Sequence, residues 1–365
     1  MAATTLLVIT NGIGEDSVGA ELVRRLPSSI TASAYPTLGS GAAYDGVCEI
    51  VGPRAQLASA GSRVAHGTVS RDLMGGLLAT VPPGLAFMRR AREAYDRVLV
   101  IGDFIGVGGC FLSGIRNVIY VDVYRSGYGR AYLAVERWVI GRTCRTVFCR
   151  HATLAESLRS SGIDARAVGN VMMDTIPYSG FNVQSRRTRG VAVTLLPGSR
   201  GQTAPNFALQ MAAIRRLPGT LRPDVFLALA EGVDASALAE AAGLRWDGDK
   251  MTGDVTVHVA RRSLGDLVEG SDVVLSQAGT ATVQALGLGK PVIGFVRPGD
   301  RMSRHRDESR LFGDSRELLR DDADAIAGAL ANLLEDGAER ARRGAIGRER
   351  IGGPGAIDEI IAALT

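Results

Sequence analysis

Three features of the chain predict an α/β protein of two Rossmann-like, doubly wound parallel-sheet domains facing one another. Short apolar stretches alternate with amphipathic ones through Gly-rich turns, the pattern of strand, crossover helix and strand. The alternation stops at residues 176–190, a polar, Gly-punctuated stretch without periodicity, and then starts again. In the second run two glycine-rich elbows, Leu196-Pro197-Gly198-Ser199-Arg200-Gly201 and Ser276-Gln277-Ala278-Gly279-Thr280-Ala281, each follow an apolar strand and open a helix. With 365 residues, 46% of them hydrophobic, the chain has material for two packed cores.

In the first run, strands are expected at residues 4–10, 98–101, 118–123 and 145–149, with a helix at 17–26. The second run gives strands at 191–196, 225–230, 255–259, 273–275 and 291–296, and helices beginning near Thr203, Asp234 and Ser263. Ser263 and Asp266 carry the Ser-x-x-Asp capping signature. Asp322 and Asp324 favour the start of an amphipathic helix at 323–334, and a short helix closes the chain at 355–364. The expected division is an N-terminal domain over 1–177, a linker over 178–190, a C-terminal domain over 191–340 and a helical tail over 341–365 that returns to the first domain.

Forty-two basic residues against 38 acidic ones leave a net charge of +4, and the basic residues other than Lys250 and Lys290 are all arginine. So slight an excess is no nucleic-acid footprint. Aromatic residues, 5% of the chain, are not interleaved with basic clusters as a stacking platform for single strands requires. Cys48, Cys110, Cys144 and Cys149 show no C-x-x-C spacing, which favours a reduced compartment over a disulfide framework. His66, His151, His258 and His305 are scattered, so no zinc set is expected. No basic region precedes the first strand, so no secretory signal is expected, and the longest uncharged run, residues 73–88, is interrupted by Pro82-Pro83. Residues 73–92 add Arg89, Arg90 and Arg92 to that run. A helix lying in an anionic headgroup layer and a core helix with a basic end share this composition.

A strand that empties into a helix N-terminus through glycine presents unpaired backbone N–H groups and the positive end of the helix dipole, a setting that suits a diphosphate. Neither elbow is a Walker loop, and Gly289-Lys290 is followed by Pro291 where the magnesium-holding hydroxyl would stand. The turn Asn11-Gly12-Ile13-Gly14-Glu15-Asp16-Ser17 approaches the dinucleotide fingerprint, with Ser17 in the third glycine place. Its partner region, Tyr35-Pro36-Thr37-Leu38-Gly39, lacks the acidic residue that holds a ribose, which disfavours nicotinamide. A plain tight turn and a ligand-facing turn both fit it. Asp103 follows the strand that ends in Ile101-Gly102, where a carboxylate either takes a proton from an attacking hydroxyl or caps the next helix. Asp122 is a weaker candidate of the same kind. Asp247-Gly248-Asp249 has the form of a metal-holding D-x-D but reads as a turn, and His258, inside an apolar strand, reads as core.

Taken together and in order, residues 11–21, Gly102-Asp103-Phe104, Val168-Gly169-Asn170-Val171-Met172-Met173-Asp174, residues 195–201 and residues 279–294 resemble the lipid-A-disaccharide synthase family, a glycosyltransferase family 19-like group. The likeness spans nearly the whole chain and is nearest the synthase-related branch. It implies the two-lobed GT-B fold and an inverting, metal-independent glycosyltransferase that moves a sugar from a UDP-sugar to a lipid-linked acceptor. No cofactor and no nucleic acid are implied, and the place of work would be the cytoplasmic face of the cell membrane, held peripherally. By position, the resemblance makes Asp103 the general base on the acceptor hydroxyl. It puts Gly198, Ser199, Arg200 and Gly201 on the donor diphosphate, with Arg200 neutralising charge on the departing UDP. Gly279, Thr280 and Ala281 would complete that cradle.

Three departures from the family pattern stand out. Gln284 occupies the place of a glutamate; an amide still bonds ribose hydroxyls or uracil, but it cannot act as a base. The family's Gly-Glu-x-Ser-Gly-Asp becomes Gly14-Glu15-Asp16-Ser17-Val18-Gly19, and Asp122-Val123-Tyr124-Arg125-Ser126-Gly127 replaces a tryptophan-rich segment. The last two fall in the half that would bind the acceptor, so they bear on the acceptor more than on UDP-sugar use. A UDP-sugar 2-epimerase of the same fold and a non-catalytic nucleotide-sugar-binding protein are the alternatives.

Overall fold

The computed structural model describes residues 3–54, 77–129, 131–199, 201–300 and 302–365. The chain divides into two compact units, Met1–Thr175 with Gly299–Leu311 and Gly352–Thr365, and Ile176–Pro298 with Phe312–Ile351.

The first unit is built on a seven-stranded sheet of β1 (Thr4–Thr10), β2 (Ile30–Pro36), β3 (Glu49–Ile50), β4 (Arg97–Gly102), β5 (Val118–Asp122), β6 (Cys144–Cys149) and β7 (Ala165–Arg166). The strands run parallel in the order β3-β2-β1-β4-β5-β6-β7, so the winding reverses between β1 and β4. Both faces are buried, as the two-residue period of the side chains shows. Leu7, Ile9, Val98, Val100, Val118 and Tyr120 enter one core, and Leu6, Val8, Leu99, Ile101, Ile119 and Val121 enter the other. The second of these cores is closed by Val18 and Leu22 of α1 (Ile13–Arg24). The first is closed by Met88 and Ala91 of α2 (Leu77–Ala94), Val107 and Cys110 of α3 (Phe104–Leu112), Val139 and Ile140 of α4 (Ala134–Thr143) and Leu154 and Leu158 of α5 (Ala152–Arg159).

The second unit carries eight strands: β8 (Ala192–Leu196), β9 (Asp224–Ala228), β10 (Arg245–Trp246), β11 (Lys250–Thr252), β12 (Val257–Ala260), β13 (Val273–Ser276), β14 (Val292–Val296) and β15 (Arg316–Arg320). Their order is β10-β11-β12-β9-β8-β13-β14-β15, parallel from β12 to β15 and antiparallel at the β10-β11-β12 edge. Here the winding reverses between β8 and β13. The crossovers are α6 (Thr203–Arg216), α7 (Ala235–Ala241), α8 (Leu264–Glu269) and α9 (Thr280–Gly287). After them come α10 (Met302–Phe312), α11 (Ala323–Glu335), α12 (Gly337–Ile351) and α13 (Ala356–Leu364). Phe207, Met211, Leu330 and Leu333 of α6 and α11 pack on one sheet face with Val193, Leu195, Val225 and Leu275. Asp322 caps α11 through Asp324 N (2.8 Å). Asp247-Gly248-Asp249 forms the β10-β11 hairpin turn, closed by Asp247 N to Lys250 O at 2.8 Å.

Several local expectations are corrected. The first helix starts at Ile13 rather than Ser17, so Gly14, Glu15, Asp16 and Ser17 form its first turn. Ser263 makes no side-chain cap. Its Oγ meets Ser179 Oγ (2.6 Å) and donates to Arg261 O (2.8 Å), while Asp266 accepts from Ser179 N (2.8 Å). That exchange reflects how residues 178–190 are held to the second unit, with Tyr178 donating to Glu269 (2.7 Å), Arg187 paired with Asp272 (3.0 Å) and Val183 buried beside Phe226. In the tail, α12 belongs to the second unit and α13 to the first. Ala356, Ile357, Ile360 and Leu364 of α13 fill the core over Leu6 and Leu99, and Asp174 accepts from Gly355 N (2.6 Å) and Ile357 N (3.0 Å) at its start. Of residues 73–92, positions 73–76 lie outside the described residues; Met88 and Ala91 pack into core while Arg89 and Arg90 are exposed. Among the described residues no helix is long and apolar enough to cross a membrane.

Candidate functional site

Open α/β sheets offer ligand crevices where the winding reverses, at the carboxyl ends of the strands. In the second unit both elbows leave from that place. Ser276 is in register with Leu196 across β13 and β8, and Gln277 N donates to Leu196 O (2.8 Å). Gly198 has φ +99°, a left-handed conformation that glycine adopts without strain, and a Cβ there would face Gln277 O at 3.7 Å. The two turns are therefore neighbours. Neither Gln202 before α6 nor Gly279 before α9 supplies a side-chain cap. The second turn is braced from within by Ser276 Oγ against Thr282 Oγ1 (2.6 Å) and Thr282 Oγ1 donating to Ala278 O (2.6 Å).

Ser199, Gly201, Gly279 and Thr280 are exposed and Ala281 is half-buried, whereas Gln284, a turn deeper in α9, is 4% exposed. Arg200 lies outside the described residues. A second arginine at this edge escaped the sequence reading. Arg297, just past β14, donates through Nε to Asn206 Oδ1 (2.7 Å), and Asn206 Nδ2 donates to Pro197 O in the first elbow (2.9 Å). The only signal for it was its position directly after a parallel strand.

The first unit repeats the logic at its own reversal point. Asp103, directly after β4, lines a hollow of about 240 Å³ with Phe104, Asp122, Tyr124, Arg125 and Tyr132. It caps α3 by accepting from Ile105 N (2.9 Å), and it accepts from Asn11 Nδ2 (2.6 Å) at the end of neighbouring β1. Asp103 is therefore the helix cap that one of the two sequence readings expects. Gly102, at φ +148°, permits the approach, because a Cβ on it would collide with Asn11 Oδ1. Asp122, by contrast, is buried and committed, accepting from Tyr124 N (2.8 Å), Arg125 N (2.9 Å) and Tyr132 Oη (2.5 Å). Burial pushes its carboxyl upward against the pull of those bonds. Tyr132 Oη also meets Tyr120 Oη (2.9 Å), and Tyr120 reaches Gly102 O (3.3 Å), which ties the Asp122 floor to the strand end that carries Asp103. The Arg125 guanidinium lies 4.1 Å over the Tyr132 ring and bonds Glu136 (2.9 Å).

The first turn of α1 is occupied by its own carboxylates. Glu15 and Asp16 are 7% and 3% exposed, and a Cβ on Gly12 would run into the Glu15 carboxylate. Asp16 accepts from Thr10 Oγ1 (2.5 Å); burial pushes its pKa up to about 6, with the Thr10 bond opposing and Glu15 adding to the rise. A helix start so filled is a poor anion site. None of Gly14, Glu15, Asp16 and Ser17 lines the Asp103 hollow; Asn11, just before them, is what joins this turn to Asp103.

No protein-family model matches the sequence, and no curated protein does either. Solved structures do match the fold along its length. The UDP co-structure of MnaA from S. aureus is 14% identical, with a TM-score of 0.65 over 99% of this chain and 96% of that one. MurG of Acinetobacter baumannii is 13% identical, with a TM-score of 0.61 over 99% and 98% of the two chains. The UDP-GlcNAc 2-epimerase of Methanocaldococcus jannaschii is 13% identical, with a TM-score of 0.57 over 99% of each. The neighbours are GT-B glycosyltransferases and UDP-GlcNAc 2-epimerases, and the chain has their fold.

Proposed function

We propose that the chain is an inverting, metal-independent glycosyltransferase that moves a hexose or hexosamine from a UDP-sugar to a lipid-linked acceptor, in the manner of a lipid-A-disaccharide synthase, at the inner face of the cell membrane. The observation that carries this reading is the adjacency of the Gly198 and Gln277 turns, with Arg297 anchored at the same sheet edge. In a single displacement the acceptor oxygen attacks the anomeric carbon as the bond to UDP breaks, and negative charge builds on the diphosphate. Backbone amides of two helix starts and an arginine stabilise that charge without reorganising. Ser199, Gly201, Gly279 and Thr280 supply the amide edge, with Arg200 or Arg297 as the cation. Asp103 takes the hydroxyl proton, and Asn11 and the Ile105 amide fix its orientation.

The 2-epimerase reading is favoured by the UDP-GlcNAc 2-epimerases among the structural neighbours, which share this fold. The test is incubation with a panel of UDP-sugars, with and without total membrane lipids. UDP release coupled to a new glycolipid supports the transferase, and a 2-epimer formed without acceptor supports the epimerase. Tight UDP binding with neither product removes both and leaves a nucleotide-sugar-binding protein.

A further inference from the structure

Two neighbouring helices of the first unit turn large apolar side chains to solvent. On α3 these are Ile105 (64% exposed) and Leu112 (63%); on α4 they are Val135 (62%) and Trp138 (52%), with Leu133 (55%) just ahead. Ile105 and Leu112 are two turns apart and Val135 and Trp138 one turn apart, so each pair lies on one helix face. Phe111 and Trp138 join the helices edge to face at 5.4 Å. The patch has a rim of arginine. Arg116 lies 5.1 Å from the Phe111 ring centre and Arg142 5.5 Å from that of Trp138, and Arg89, Arg90 and Arg92 line one depression with Leu112. The acidic side chain there, Glu93, is paired with Arg92 (2.8 Å). Apolar surface edged by arginines at its Leu112 and Trp138 end, with Asp103 and Glu136 beside Ile105 at the other, marks an interaction face.

We propose that the α3-α4 face docks on an anionic bilayer surface. Ile105, Leu112, Leu133, Val135 and Trp138 enter the headgroup layer, and the surrounding arginines bond lipid phosphates. The charge decides the occupant: a guanidinium forks onto a phosphate, whereas a second copy of this chain, meeting the patch with the same patch, would set arginine against arginine. Tryptophan, apolar with one polar edge, suits the depth at which headgroups end. Ile105 also lines the Asp103 hollow, so the docked face opens directly on the carboxylate. The inference deepens the membrane part of the proposed reading: α3 and α4 supply the apolar face, and residues 73–92 contribute Arg89, Arg90 and Arg92 to its rim.

The test needs no sugar donor, so its failure is distinct from failure of the transferase reading. The full chain is sedimented with phosphatidylcholine vesicles made with or without phosphatidylglycerol, at low and high salt. Expected are binding about tenfold or more stronger to the anionic vesicles, loss of that gain in salt, and a drop of similar size in the Leu112→Ser, Trp138→Ser double variant. A Trp246→Phe chain leaves Trp138 as the sole tryptophan, and its emission should shift to the blue on anionic vesicles even if the double variant fails to fold. Equal affinity for neutral vesicles, an unmoved Trp138 emission, or a lipid-free dimer abolished by the double variant would each overturn the proposal.

Discussion

Asn11 at the end of β1 donates through Nδ2 to Asp103 Oδ1 at the end of β4, 2.6 Å away and 92 residues on in the chain. The amide has to point this way, because the flipped orientation would set its oxygen against the carboxylate. The arrangement is costly. Asn11 Oδ1 is buried without a donor among the described residues, and Gly102 is held at positive φ to make room for it.

Asp103→Asn should separate the two duties of that residue. Asparagine is as good an N-cap as aspartate, so stability should change by less than about 1 kcal/mol. It cannot take a proton, so turnover should fall by a factor on the order of 10² to 10⁴ while UDP affinity is kept. Thermal melting, calorimetric UDP binding and the rate of UDP release are the three measurements. Near-normal release would take Asp103 out of the chemistry.

Asn206→Leu should act on the donor edge without touching a nucleotide. It removes the bond that holds Arg297 and the one that holds the Pro197 carbonyl, at a residue only 7% exposed. Loss of stability of about 1–3 kcal/mol is expected, with UDP affinity weakened by roughly tenfold. Arg297→Ala should reproduce the loss of affinity with less effect on stability. If calorimetry finds UDP bound as tightly by both variants, Arg297 has no part in the cradle.

Asp16 should make stability fall as pH rises. Its native pKa of about 6 lies above the ordinary 3.8, so between those values the folded chain holds a proton that the unfolded chain has released. Stability is therefore lost on going from about pH 4 to about pH 6 and stays lost above, a penalty on the order of 2–3 kcal/mol. Asp16→Asn can still accept from Thr10 but has no charge to bury. It should melt higher than the native chain at pH 8 and alike at pH 4, and parallel melting profiles across that range would refute the assignment.

The legible parts of this molecule are those whose signal is local. β4 and β8 are buried on both faces and read as nearly continuous apolar runs, with Arg97 opening the one and Thr194 inside the other. Asp103 and the two elbows stood out because a parallel strand's carboxyl end is where a site forms. Strands of two residues such as Glu49–Ile50, Ala165–Arg166 and Arg245–Trp246 carry no period and were not foreseen. The Ser263 cap failed because Ser179, 84 residues away, competes for the same hydroxyl. Asn11 to Asp103 and Asn206 to Arg297 are partnerships over 92 and 91 residues that only the strand order creates. Asp122 lost its candidacy to Tyr132, whose hydroxyl reaches it from the segment before α4.

The terminal helix supplies the last prediction. Ile357 and Ile360 of α13 are fully buried over Leu6 and Leu99, and Asp174 fastens the helix start through two backbone amides. Ile360→Ala removes buried apolar volume from a core with little room to collapse, and should destabilise the first unit by about 2–5 kcal/mol. Asp174→Ala leaves the Gly355 and Ile357 amides without their acceptor and should cost about 1–2 kcal/mol. Denaturant unfolding followed at Trp138, in a Trp246→Phe background, reads that unit directly. Both variants should shift its midpoint downward in that order of size, and a midpoint left in place by Ile360→Ala would mean that α13 does not seal this core.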